Sequence, residues 1–239
     1  MKKMFIARLA AAAIFAAAAF ASASETTVSV SAETALEMLV EGNRHFVKGD
    51  VEHLEKYAKV RRRLELAAGQ KPFAIIVACS DSRVPPELLF DKGLGEIFVV
   101  RVAGNIVGEH ELGSIEYAAE HLGAKLIMVL GHERCGAVTA TYDAVTSNTV
   151  ADDGHHSNID SLVKAIEPAV TETLASGVSG TKAELVEECI ITNVEKVAAA
   201  IEHGSDLLTE MIEFGGVKVV KAKYDLDSGK VTILAGEAH

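Results

Sequence analysis

Two of the chain's three cysteines, Cys79 and Cys135, sit where apolar runs give way to polar turns. Cys79 follows IIVA at residues 75–78 and opens the segment ACSDSRVPPE, residues 78–87; Cys135 closes GHERC, residues 131–135, just after IMVL at 127–130. His132 and Cys135 form a His-x-x-Cys pair that can supply two metal ligands from one turn, with Cys79 as a third from elsewhere. Two thiolates and an imidazole favour Zn²⁺ in a tetrahedral site. Three protein ligands leave the fourth position open, which is what separates a catalytic zinc from a structural one. A cysteine after a strand is by itself more often a small buried hydrophobe, and a lone His-x-x-Cys recurs by chance. Their joint placement carries the metal reading.

Asp81 and Arg83 follow that first cysteine. Two residues past a metal-bound thiolate, a carboxylate can reach the open position or accept a hydrogen bond from water there, and an arginine two residues further can hold the carboxylate off in a bidentate pair. Without the metal set the two would read as an ordinary loop ion pair. Val84-Pro85-Pro86 predicts an extended, rigid path beyond them. Cys189, in the helical stretch EECIITNV, has no ligand-type neighbour at a suitable spacing and reads as packing. His155 and His156 lie side by side in a polar loop and read as solvated rather than as a second metal pair.

The elements that must bring Cys79 to His132 and Cys135 are strands. Residues 73–78, 97–100 and 126–130 are short continuous apolar runs of the kind buried on both faces of a parallel sheet. A helical segment at 112–122 separates the second from the third and completes a strand-helix-strand unit. Ligands gather outside the carboxyl ends of strands in open α/β sheets, so the three ligands converge if the strands before them are neighbours. Upstream, residues 31–68 are helical, with Ala35, Leu36, Met38 and Leu39 at three- and four-residue steps and Ser31, Glu33 and Glu37 at an acidic start. The part around 55–68 is heavily charged and suits a surface or a partner. Downstream, helices are expected at 135–144, 159–175 and 182–203, a polar loop at 147–158, and a final hairpin of 217–224 with 230–234 turning at Asp227-Ser228-Gly229. The fold class is α/β.

At 239 residues, with 49% hydrophobic and 24% charged residues, the composition is that of an ordinary globular protein. Residues 1–23 stand apart: Lys2, Lys3 and Arg8 accompany an alanine-rich run that closes at Ala21-Ser22-Ala23 with no acidic residue. This reads as a secretory signal peptide, leaving 24–239 as a single mature domain that is periplasmic or secreted. The run is too short and too rich in small residues for a retained membrane anchor. Loss of its three cations takes the formal charge from -11 to -14, a surface that repels nucleic acid and anionic membranes and excludes both as partners. Three irregularly spaced cysteines are no disulfide framework.

CSDSRVPPE and GHERCGA resemble the two signature segments of the β-class carbonic anhydrases, and FVVRVAGN (98–105), GSIEYAAEHLG (113–123) and HHSNIDSLVKAIEP (155–168) are also similar to that family. The likeness runs from about residue 35 to the C-terminus. It implies a mostly parallel sheet flanked by helices with an N-terminal helical arm at 31–68, zinc held by Cys79, His132 and Cys135, and a catalytic dyad of Asp81 and Arg83. It implies reversible hydration of carbon dioxide to bicarbonate by a homodimer or homotetramer whose N-terminal helices wrap a neighbouring subunit. The alternatives are hydrolysis of carbonyl sulfide or carbon disulfide at the same site, and a non-catalytic protein that zinc merely stabilises. Many bacterial relatives carry a substrate-holding glutamine where this chain has Lys92. Some are shut by bicarbonate at a second site that uses a tryptophan three residues before the first zinc cysteine. Here that position is Ile76, while Arg101 and Tyr224 resemble the other members of that site.

Overall fold

The apolar runs form β1 (Ala74–Ala78), β2 (Ile97–Arg101) and β3 (Leu126–His132) in a computed structural model that describes residues 30–51, 59–147 and 157–235. With β4 (Lys218–Tyr224) and β5 (Val231–Ile233) they make one five-stranded sheet in the order β2-β1-β3-β4-β5. The first four strands are parallel, and β5 returns antiparallel on β4 as the expected hairpin. The described helices are α1 (Ala32–Lys48), α2 (Val60–Leu66), α3 (Pro86–Leu89), α4 (Glu109–Glu120), α5 (Gly136–Ser147), α6 (Ile159–Ala175), α7 (Lys182–His203) and α8 (Asp206–Glu213).

Alternate strand residues point to opposite faces, and each face has its own core. Ile76, Ala78, Met128 and Leu130 pack with Ala35 and Leu39 of α1. On the other face, Ile75, Val77, Ile127 and Val129 meet Ile115 of α4 and Val194, Val197 and Ile201 of α7. β1 and β3 are buried along their whole length. β2 is not: it is an edge strand, and only Ile97 and Val100 are buried, where burial on both faces was expected.

Ser31 caps α1 by accepting from the Thr34 N–H, and Gly49 ends the helix at φ 75. Asn43 ties this helix to distant parts of the chain. Its amide donates to the carbonyls of Leu89 and Gly229, and its oxygen accepts from the Val231 N–H. α2 buries no residue, in keeping with the charged surface expected there. The path after Val84 differs from the extended one anticipated: Pro85 is extended, but Pro86 opens the short α3, since a proline at the first helical position gives up no intrahelical hydrogen bond. α8 escaped the sequence reading although Ser205 caps it, accepting from the Leu208 N–H. Among the described residues no helix is long and apolar enough to cross a membrane. The segment 1–23 expected to be a signal peptide and the pair His155 and His156 lie outside the described residues.

Gly42 shows how closely α1 is seated. A Cβ at this buried position would lie 1.8 Å from the carbonyl oxygen of Phe90, where neither backbone can give way cheaply. Gly42→Ala should therefore destabilise the protein by about 3 kcal/mol, lowering Tm by roughly 6 to 12 °C in a thermal melt. An unchanged melt would mean that α1 does not rest on the Phe90 backbone.

Candidate metal centre

Because β1 and β3 are neighbours in register, Ala78 beside Leu130, the residues at and just beyond their carboxyl ends come together. Cys79 follows β1, His132 is the last residue of β3, and Cys135 immediately precedes α5. The two sulfurs and a ring nitrogen of His132 lie within 4.8 Å of one another, and all three side chains are buried. Arg134 adopts φ 50 inside the turn that joins His132 to Cys135.

The donors are prepared for a cation. His132 Nδ1 lies 2.9 Å from the Glu133 carbonyl oxygen and donates to it, which leaves the lone pair on Nε2. That Nε2 is buried with no hydrogen-bond partner among the described residues. Cys79 Sγ accepts from the backbone N–H of Gly104 at 3.2 Å and of Asp81 at 3.4 Å. The Cys79 thiol is lowered to about 4, chiefly by a hydrogen bond from Cys135 and further by His132 and those backbone N–H groups, against the cost of burial. Cys135 is pushed up, first by its hydrogen bond with Cys79 and then by burial. Two sulfurs in hydrogen-bond contact thus lie beside an orphaned imidazole lone pair, an arrangement that a divalent cation would draw together. The donor set fits zinc, with two sulfur ligands and one nitrogen ligand.

Asp81 stands at the edge of this set, its Oδ2 4.0 Å from His132 Nε2. Arg83 grips it with a fork: Nε to Oδ1 at 2.9 Å and Nη2 to Oδ2 at 2.7 Å, with the Arg83 backbone N–H also on Oδ1 at 2.9 Å. This hydrogen bonding, led by the guanidinium, holds the carboxyl well below the usual carboxylate range against partial burial. The bidentate pair anticipated from spacing is therefore present in the fold.

Other residues important to the geometry were not singled out from sequence. Gly104 takes φ 73 in a 3-10 turn, Ala103–Asn105, where a Cβ would lie 2.6 Å from Ile166 Cδ1. Asn193 of α7 donates to the Gly104 carbonyl at 2.8 Å. The glycine in RVAGN was the available signal for that close approach; Asn193 in a helix offered none. Asn105, at φ 45, is buried with its Nδ2 unpartnered among the described residues. Cys189 is fully buried in the same apolar cluster as Cys79 and Cys135 but is not one of the converging donors, and desolvation raises its thiol. Lys92 is buried too, its ammonium against Gly42 of α1, and desolvation lowers it. An acidic group, Glu133, Asp225 and Asp227, is partly neutralised by Arg134, 2.8 Å from Asp227.

Comparison with known proteins gives a consistent result. The family described as carbonic anhydrase matches residues 74–231. Carbonic anhydrase 2 of Mycobacterium tuberculosis is 39% identical over 199 residues, covering 83% of this chain and 91% of that protein. The β-carbonic anhydrase CafA of Aspergillus fumigatus superposes with a TM-score of 0.63 at 25% identity, covering 73% of this chain and 80% of that one. A tetrameric β-carbonic anhydrase of Sordaria macrospora shares the fold with a TM-score of 0.62 at 24% identity, over 73% of this chain and 86% of that one.

Proposed function

The chain belongs to the β-class carbonic anhydrase family, and from that membership we propose that it is a zinc enzyme interconverting carbon dioxide and bicarbonate with release of a proton. The observation that carries the reading is the buried Cys79-His132-Cys135 set with one unpartnered imidazole nitrogen and an arginine-locked carboxylate 4.0 Å from it. Zinc held by these three residues would act as a Lewis acid and make water a nucleophile near neutral pH. The chain's own residues supply the rest. Gly104 and Asp81 steady the Cys79 sulfur through their backbone N–H groups. The Glu133 carbonyl fixes the His132 tautomer. Asp81, kept ionised by Arg83, is the acceptor that takes a hydrogen bond on the open side of the set and orients the attacking oxygen toward carbon. The family supports a homodimer or homotetramer, and the signal-peptide pattern of residues 1–23 supports export with that segment removed.

The state of Asp81 sets the expected pH behaviour. A depressed Asp81 means that its ion pair with Arg83 contributes stability fully above the ordinary carboxylate value of about 4 and loses it only as pH falls toward the lowered value. Asp81 should thus add no limb to the rate profile near neutrality. Ile76 is fully buried in β1 and has no side-chain N–H to offer an anion, and Arg101 already donates to the Cys79 and Asp81 carbonyls. An anion pocket built on those positions lacks a donor worth roughly 1 to 3 kcal/mol. Stopped-flow CO₂ hydration by the zinc-loaded protein should rise with pH along a single titration at every bicarbonate concentration. A steep multi-proton loss of rate that bicarbonate moves to higher pH would remove the regulatory claim. Turnover of carbonyl sulfide or carbon disulfide without CO₂ hydration would replace the substrate assignment, and no turnover of any of the three would leave only a zinc-stabilised protein.

A further inference from the structure

Arg101 ends β2 directly across the parallel ladder from Ala78, and its guanidinium turns onto the loop beyond β1. Nε donates to the Cys79 carbonyl at 2.9 Å and Nη2 to the Asp81 carbonyl at 2.7 Å. The ladder itself continues one step further: the Val102 N–H donates to Ala78 and the Ser80 N–H to Val102. Strand and side chain together therefore hold the main chain from Ala78 to Asp81. Arg83 does a different job. It fixes the rotation of the Asp81 carboxylate, but from only two residues away, with half of its own side chain exposed and a single long contact beyond the pair, Nη2 to the Arg134 carbonyl at 3.5 Å, so the Asp81-Arg83 pair is only loosely tied by its own contacts. Arg101 connects that pair to the sheet.

Resting on the carbonic anhydrase reading, we infer that Arg101 is the positioning residue of the site: its planar fork sets the Cys79–Asp81 turn so that the Asp81 carboxylate stands beside the open face of the donor set rather than on the metal. A fork is needed because two carbonyls separated by a residue must be met at once from one rigid group. A lysine ammonium, a single nitrogen on a flexible stem, can meet one of them at a time. The arrangement also makes the effect of Arg101 conditional on Asp81, which an ordinary packing role would not be.

The test is a set of zinc-loaded full-length variants: Arg101→Ala and Arg101→Lys, each alone and combined with Asp81→Asn. Arg101→Ala should lose about thirtyfold in kcat/KM for CO₂ hydration, chiefly in kcat, with zinc content and circular dichroism as in the parent. Arg101→Lys should recover only part of that loss. In the Asp81→Asn background the Arg101→Ala change should cost less than about twofold, because the group it positions is already disabled. Cobalt-substituted protein gives a readout independent of turnover: Arg101→Ala should shift the visible absorption bands as Asp81 reaches the metal, and adding Asp81→Asn should abolish the shift. Parental rate and spectrum in Arg101→Ala would overturn the inference, as would a thirtyfold loss that persists without the Asp81 carboxylate. If Arg101→Ala does not fold, Arg101→Lys carries the same comparisons. If the parent itself fails to hydrate CO₂, the activity reading falls, and the cobalt spectra still decide whether Arg101 positions Asp81.

Discussion

Cys135→Ser protein should come off a chelating dialysis with less than about a tenth of a zinc per chain and only background CO₂ hydration, while the parent keeps about one. Serine nearly preserves the size of the buried side chain, so the fold has little reason to change. The lost property is the ability to become an anion: a hydroxyl stays protonated where a thiol beside Cys79 and a cation would not. Cys189→Ser is the matched comparison. It too puts a hydroxyl in a fully buried position and should lower stability by about 1 to 3 kcal/mol, yet it should retain its zinc, because Cys189 is not among the donors that cluster within 4.8 Å. Equal zinc in the Cys135→Ser protein and the parent would show that the ligand assignment is wrong.

Asp81→Asn should reduce hydration about a hundredfold with zinc content near that of the parent, since the amide keeps the shape of the side chain but loses the charge that Arg83 grips at two oxygens. Arg83→Ala reaches a similar loss by another route. With the fork gone, the carboxylate is free to cover the 4.0 Å that separates its Oδ2 from the His132 nitrogen region and to close the site. The two variants should then differ in how they hold metal: Arg83→Ala should release zinc to a chelator more slowly than Asp81→Asn, because it gains a fourth protein ligand. Near-parental hydration in both would reduce the pair to a surface ion pair worth little.

Most of the metal site was legible because its chemistry is written in residue types that rarely coincide by chance. Cys79 and the His132-x-x-Cys135 pair each sit just past an apolar run, and the parallel pairing of β1 with β3 turns that sequence position into proximity. Period also gave away the longer helices and the final hairpin. Main-chain atoms carried the part that sequence did not disclose. The carbonyls that Arg101 meets, the Gly104 N–H on the Cys79 sulfur and the Glu133 carbonyl that sets the His132 tautomer are groups common to nearly every residue, so no residue type marks them. The incompletely buried β2 shows a second limit. An apolar run specifies a strand, but its place at the edge of the sheet depends on which strands the rest of the chain supplies.

Asn43 has a bearing on how the molecule is made. Its partners Gly229 and Val231 lie 186 and 188 residues further along the chain, in the hairpin of β4 and β5. During translation α1 can form early, but it cannot complete its docking until Gly229 and Val231 have emerged. Contacts closed over such a span come late and favour slow folding. Under the proposed export, in which a chain stays unfolded while it is threaded through a membrane, that delay would be useful: α1 would remain unlatched until the hairpin had crossed.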